Sequence, residues 1–184
     1  MMLSGEDIHR AIENGSLSIE PFFPKSVRPA GITLHLGETL LRPKPGNVVD
    51  IKNKIIPEYE TINLADDKPY ILESRGFVLG ATLEAVTVGN NIGFLIEGRS
   101  TLARVGLTIV QTAMLVYPGH TNRSITLELA NHGPNSILLY PRMKIARAAI
   151  FELKTPSKQG YDVDGKYRKQ KKVGPPIFED EFGQ

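Results

Sequence analysis

The chain has 184 residues, 41% of them hydrophobic and 23% charged, a size and balance that support one ordered domain with a real core and exclude wholesale disorder. A formal net charge of +2, with Lys and Arg scattered through most of the chain, speaks against nucleic acid as a partner but leaves room for a local basic pocket around one phosphorylated ligand. There is no cysteine, which excludes disulfides, thiolate nucleophiles and Cys-containing zinc sites, and the four histidines lack metal-ligand spacing. No apolar run reaches the roughly 18 residues of a membrane helix, and no basic-then-apolar leader opens the chain, so the reading is a cytoplasmic protein with no membrane partner.

The first predicted element is a short helix. Ser4 caps it, Asp7 completes an S-x-x-D box, and Leu3 and Ile8 are spaced as a hydrophobic staple. Ile8, Ala11 and Ile12 form a narrow apolar stripe, and Gly15 is the stop signal. From residue 21 to 68 the chain is rich in Pro, Gly and polar residues, with short apolar pieces at 32–36 and 48–51 that read as short strands between irregular turns. Further on, strands are predicted at 70–72, 77–85, 92–96, 107–110, 124–130, 136–140 and 144–153. Gly76, Val88-Gly89-Asn90-Asn91, Pro118-Gly119, His132-Gly133-Pro134-Asn135 and Pro141 separate them. Connections this short forbid βαβ crossovers and predict a mostly β fold, a sandwich or jelly roll, over residues 1–154. Residues 155–184 are polar and lack apolar periodicity; they read either as a frayed tail or as a lid over a ligand. Gly160-Tyr161 and Lys166-Tyr167-Arg168-Lys169-Gln170 would give such a lid polar and aromatic groups suited to phosphate and sugar.

Two stretches could carry chemistry. In Glu97-Gly98-Arg99-Ser100-Thr101-Leu102-Ala103-Arg104, a strand ends, Ser100 is placed to cap one or two helical turns, and Gly106 stops them. A helix start flanked by Arg99 and Arg104 suits phosphate oxygens, although a capped surface turn with two solvated arginines fits the same residues. In Ser124-Ile125-Thr126-Leu127-Glu128-Leu129-Ala130, alternation puts Ile125, Leu127 and Leu129 on one face and Thr126, Glu128 and Ala130 on the other. Glu128 is then either on a solvated strand face or partly desolvated between leucines, which would raise its pKa toward general acid/base use. The run Thr112-Ala113-Met114-Leu115-Val116-Tyr117-Pro118-Gly119 reads as a strand end and turn whose backbone groups could line a base pocket.

The run Gly98-Arg99-Ser100-Thr101-Leu102-Ala103-Arg104-Val105-Gly106-Leu107 resembles the G-R-S-S-L-A-R-x-G-L signature of dCTP deaminases. Thr126-Leu127-Glu128-Leu129-x-Asn131, Leu139-Tyr140-Pro141-x-Met143-Lys144-Ile145-Ala146 and Gly165-Lys166-Tyr167-Arg168-Lys169-Gln170 resemble later blocks of that family, and Leu3-Ser4-x-x-Asp7-Ile8 and Leu36-Gly37 match at the front. The resemblance implies a dUTPase-like distorted jelly roll with a short N-terminal helix and a C-terminal lid, assembled as a homotrimer with sites between subunits. It implies zinc-free deamination of dCTP, with Glu128 as general acid/base and Ser100, Arg99 and the backbone at Ala113 serving the reaction. Arg99, Ser100, Thr101, Arg104, Thr112, Ala113, Tyr117, Tyr161, Lys166 and Gln170 fall at positions that bind substrate. Mg²⁺ is expected to ride on the triphosphate rather than on protein ligands, with dUTP or dTTP as further nucleotide ligands.

The sequence also departs from the family. Tyr117 stands where an Asp usually follows the Thr-Ala pair, one residue is inserted before Arg123, and the second Gly of that block is missing. Tyrosine, with an ordinary pKa near 10, is a poor base at neutral pH, which argues against dUMP formation. Thr33, Arg142 and Arg147 replace a usual Asp, Gly and Gln. The alternatives to a dUTP-forming deaminase are a bifunctional, dUMP-forming enzyme or dUTP diphosphatase, and a non-catalytic nucleotide-binding relative.

Overall fold

Local rules dictate the first helix, and it forms as they require. The structure is a computed structural model describing residues 1–46, 48–179 and 181–182; positions 180, 183 and 184 of the predicted C-terminal segment lie outside the described residues. Helix α1 (Gly5–Glu13) carries a complete capping box, with the Ser4 hydroxyl accepting from Asp7 N and the Asp7 carboxylate accepting from Ser4 N at 3.1 Å. Ile8 and Ala11 are buried, and Gly15 leaves the helix at φ +76°. The helix closes one end of the fold, where Leu3 N donates to Ile150 O and Gly5 N to Pro29 O.

The strands follow in order: β1 (Leu17–Glu20), β2 (Val27–Arg28), β3 (Gly31–His35), β4 (Thr39–Pro43), β5 (Tyr59–Asn63), β6 (Tyr70–Leu72) and β7 (Phe77–Val88). Then come β8 (Ile92–Gly98), the short helix α2 (Ser100–Ala103), β9 (Leu107–Thr108), β10 (Leu115–Val116), β11 (Arg123–Asn131), β12 (Ile137–Leu139), β13 (Lys144–Glu152) and the single turn α3 (Tyr161–Asp164). One antiparallel sheet runs β5-β4-β7-β11-β9, with β1 also on β7; a second runs β10-β8-β13-β3-β2; β12 and β6 form a separate pair. Leu40, Val78, Val86, Leu127 and Leu129 from the first sheet and Leu34, Phe94, Ile96 and Ile150 from the second fill one core. Alternation in these strands has selected the inward face. The mostly β sandwich expected from the sequence is the fold observed.

Two expectations need correction. The apolar piece at 48–51 is not a strand. Val48 and Val49 are exposed, and a lone bridge between Asp50 and Ile55 closes a turn, so no face exists there for a strand to bury. Ser100 is not the cap of α2: the extended residue before the helix is Arg99, Ser100 is already helical, and no side chain caps the turn. Gly106 does end it, at φ +88°. A Cβ there would lie 2.3 Å from Gly133 N, so the α2 exit and the 132–135 turn approach as bare backbone.

A bulge shapes the region next to Glu128. Along β7 and β11 the pairing jumps from Ser124↔Ala85 to Thr126↔Ala81, so three residues of β7 face one of β11. Thr82 holds the bulge, its hydroxyl donating to Glu84 O and accepting from Ile125 N. Glu84 turns inward at the bulge and is 1% exposed, with its carboxylate on His35 N and His35 Nδ1.

Candidate active site

Glu128 sits in β11 with its backbone N–H on Ile109 O. Its carboxylate is half-buried and accepts a 3.2 Å hydrogen bond from Gln111 N. Burial pushes the carboxyl above its ordinary range, and the Gln111 N–H offsets this only in part. A group poised this way can take a proton from water and return it. It faces a cavity of about 850 Å³, within the range of small-molecule sites.

The structure gathers part of the expected set around that cavity. Ala113, Tyr117, Tyr161, Lys166 and Gln170 line it together with Glu128. Gln170 Nε2 donates to Thr126 Oγ1 at 2.9 Å, two residues from Glu128 on the same strand. Tyr161 and Tyr117 stack with near-parallel rings, centroids 6.1 Å apart. Lys166 pairs with Glu181. Arg99, Ser100, Thr101, Arg104 and Thr112 do not line this chain's cavity. Arg99 instead donates from Nη1 to Lys144 O, while Ser100, Thr101, Arg104 and Thr112 are exposed.

Residues 155–179 do not fray away from the sandwich. Tyr161 N donates to Pro118 O at 2.8 Å and Asp162 N to Gly119 O at 3.1 Å. Gly119 (φ +75°) and Gly160 meet backbone to backbone; a Cβ on Gly119 would lie 2.3 Å from the Gly160 Cα. Because these contacts use main-chain atoms, the polar composition of the segment gave no sign of them.

The sequence reading missed two pocket residues, Arg123 and His120, and the hydrogen-bond donor to Glu128, Gln111. Arg123, at the start of β11, is 7% exposed and touches Tyr161, Asp162 and Arg168. Its one available signal was an arginine opening a strand whose next inward positions, Ile125, Leu127 and Leu129, are apolar. Gln111, the donor to Glu128, lies in a stretch with no periodicity to mark it. His120 packs at 5.7 Å from the Tyr161 ring and donates from Nε2 to Arg123 O. Burial first, and then the nearby Arg123 charge, push its pKa down to about 4.

That shift has a measurable sign. The unfolded chain takes up the His120 proton near pH 6.5, the folded protein only near 4, so stability contributed by neutral His120 is full above the first value and lost as pH falls toward the second. His120→Gln is expected to flatten this acid decline in the Tm measured from pH 7 to 4; a variant whose decline matches the parent's would refute the assignment.

Among the described residues, no group of three or more His, Cys, Asp or Glu side chains is placed to hold a metal ion, and no helix is long and apolar enough to cross a membrane. A desolvated carboxylate opening on a small-molecule cavity marks an enzyme built on an antiparallel sandwich. Residues 2–153 match the family described as dCTP deaminase-like. A Corynebacterium efficiens protein named dCTP deaminase, dUMP-forming, is 33% identical over 176 residues, covering 93% of this chain and 91% of the relative. A Corynebacterium jeikeium protein of the same name is 37% identical, covering 88% and 86%, and a Natronomonas pharaonis dCTP deaminase is 33% identical, covering 95% and 92%. The solved 2'-deoxycytidine 5'-triphosphate deaminase from Agrobacterium tumefaciens shares the fold, with a TM-score of 0.63 at 18% identity. That match covers 81% of this chain, which spans about half of the solved one (47%). The chain belongs to the dCTP deaminase-like family.

Proposed function

We propose that the protein removes the amino group of dCTP by hydrolysis, giving dUTP and ammonia and feeding dUMP and dTTP synthesis in the cytoplasm. The observation that carries this reading is Glu128: a half-buried carboxylate with its pKa raised by burial, on the wall of a nucleotide-sized cavity. Glu128 takes a proton from water as the oxygen attacks C4 of the cytosine ring. The same carboxyl then delivers a proton to the departing nitrogen, so ammonia leaves and the ring carbonyl of uracil forms. No zinc is needed for these proton transfers, and the chain has no cysteine with which to build the usual zinc deaminase site. The backbone at Ala113 and the Ser100 hydroxyl hold the water and the tetrahedral intermediate, with Arg99 keeping that arrangement together.

Ser100 lies outside this chain's own cavity, so the proposed site is completed by α2 of another copy in a homotrimer. The exposed turn then contributes Ser100, Thr101 and Arg104, the last toward the triphosphate, alongside Thr112. Residues 155–184 act as the lid, with Tyr161, Lys166 and Gln170 over the nucleotide. Mg²⁺ travels on the triphosphate.

The names of several relatives favour a second reading, in which dUMP and pyrophosphate are the products. Tyr117 supports the first: the dUMP-forming step needs a base at that turn, and here an aromatic ring stacked on Tyr161 stands there. One assay separates them. With Mg²⁺ and dCTP, ammonia and dUTP are the expected products, with CTP and dUTP left unchanged. Pyrophosphate release would overturn the argument from Tyr117, and binding without turnover would leave a nucleotide-binding relative.

A further inference from the structure

The Arg123 side chain stands apart from the machinery so far described. It opens β11, five residues before Glu128, and is 7% exposed although arginine is seldom buried without a partner. The hydrogen-bond, ion-pair and ring partners of its side chain come from the C-terminal segment. Nη1 donates to Arg168 O, Nη2 forms an ion pair with Asp162, and the guanidinium carbon lies 5.7 Å from the Tyr161 ring centroid. Just beyond, Ser124 N donates to Lys171 O and Thr126 Oγ1 accepts from Gln170 Nε2. Three of the first four residues of β11 thus grip residues 161–171, and the last of them, Thr126, is two positions from Glu128.

From these contacts we infer that Arg123 is a latch: a positioning residue that holds residues 161–171 closed over the cavity that Glu128 faces. Charge and geometry make it suited to this. A guanidinium presents five donors in a fixed fork, so one side chain binds a carboxylate and a backbone carbonyl at once. Its own burial works against its charge, so the arginine gains most when Asp162 and the Arg168 carbonyl are in place. Closing the segment gives the guanidinium a carboxylate and a carbonyl to hold, and opening it gives up both. The effect on catalysis rests on the deamination proposed above; the mechanical role does not.

The test therefore has two arms. In the first, Asp162→Asn and Arg123→Gln are digested with trypsin and the cleavage sites are identified by mass spectrometry. Cleavage between 166 and 172, where Lys166, Arg168, Lys169, Lys171 and Lys172 lie, is expected to quicken about tenfold in both variants, the scale of one charge-assisted hydrogen bond. Cleavage at Lys52 and Lys54, exposed in the 51–54 turn, is expected to keep the parent's rate. In the second, kcat/KM for dCTP falls about tenfold while the acid limb of the pH profile, set by Glu128, stays where it was. Unchanged cleavage at 166–172 overturns the latch, as does equal acceleration at Lys52 and Lys54, which would mean general loosening of the fold. If the parent does not deaminate dCTP, the proposed reaction fails while the digestion arm still decides the latch.

Discussion

Glu128→Gln is expected to lower the deamination rate by about 10²–10⁴-fold, the usual contribution of a positioned acid/base group, and to leave a protein more stable than the parent at pH 7. The two effects share one cause. Burial raises the Glu128 carboxyl, so the folded state holds that proton more tightly than the unfolded chain does. The stability it contributes is present below the unfolded pKa and is lost as pH rises through the folded one. At pH 7 the parent carries a half-buried charge that the amide lacks. Differential scanning calorimetry of the two proteins should show the variant's advantage in Tm at pH 7 shrinking as pH is lowered toward 4. A variant less stable at pH 7 would mean that Glu128 is a structural acceptor for Gln111 N, and a variant with near-normal turnover would remove it from the chemistry. Triphosphate binding is expected to survive, since Glu128 is assigned to the base and not to the phosphates.

The largest stability effect is expected at Asn131, three residues along the same strand. It belongs to the stretch by which the sequence resembles the deaminases, yet its structural neighbours are backbone groups of the scaffold. The side chain is fully buried; Nδ2 donates to Leu72 O at 3.0 Å and to Asn135 O at 2.8 Å, and Oδ1 accepts from Gly133 N at 2.9 Å. It ties the β6–β12 pair and the 132–135 turn to the end of β11. Asn131→Leu keeps the number and branching of heavy atoms but leaves two buried backbone groups and one part-buried group without that partner, at roughly 1 kcal/mol or more each, so about 3 kcal/mol in all. For a chain of this length that corresponds to a Tm lower by about 6–12 °C, measured at fixed protein concentration because assembly would shift it. A loss within about 1 °C would show that the turn is held by other contacts.

How much of this was legible depends on whether the forces were local. Helix α1 could be read because Ser4, Asp7 and Gly15 act within one turn of the chain. Strands β7, β11 and β13 could be read because each is nine residues or longer and burial alternates along part of it, over 82–88 in β7 and 123–129 in β11. The bulge at Thr82–Glu84 broke no pattern, because Leu83 and Glu84 continue a plausible alternation while their backbone leaves the ladder. Arg142 was seen only as a replacement for a usual Gly. The structure shows that it keeps the left-handed backbone that a Gly would favour, φ +61°, and holds Glu38 and Asp66 with its guanidinium. Glu128 could be nominated from alternation, but its desolvation could not, since the cover comes from residues more than thirty positions away: Tyr161, Lys166 and Gln170. The Ser100 turn was legible as a motif and misread as a cap, because its backbone, not its hydroxyl, starts the helix.

The exposed turn of α2 carries a consequence for inheritance. In the proposed trimer each copy lends its Ser100 and Arg104 to a neighbour's cavity and keeps Glu128 for itself. A lesion in the turn therefore silences a pocket on another chain, whereas a lesion at Glu128 silences only its own. In a cell expressing normal and altered copies together, the two kinds of lesion recombine: a chain broken at the turn still offers an intact cavity, and one broken at Glu128 still offers an intact turn. Two inactive alleles of opposite kind can then restore working sites between them, and the dose of each allele, rather than its presence, sets how much of the nucleotide pool is converted.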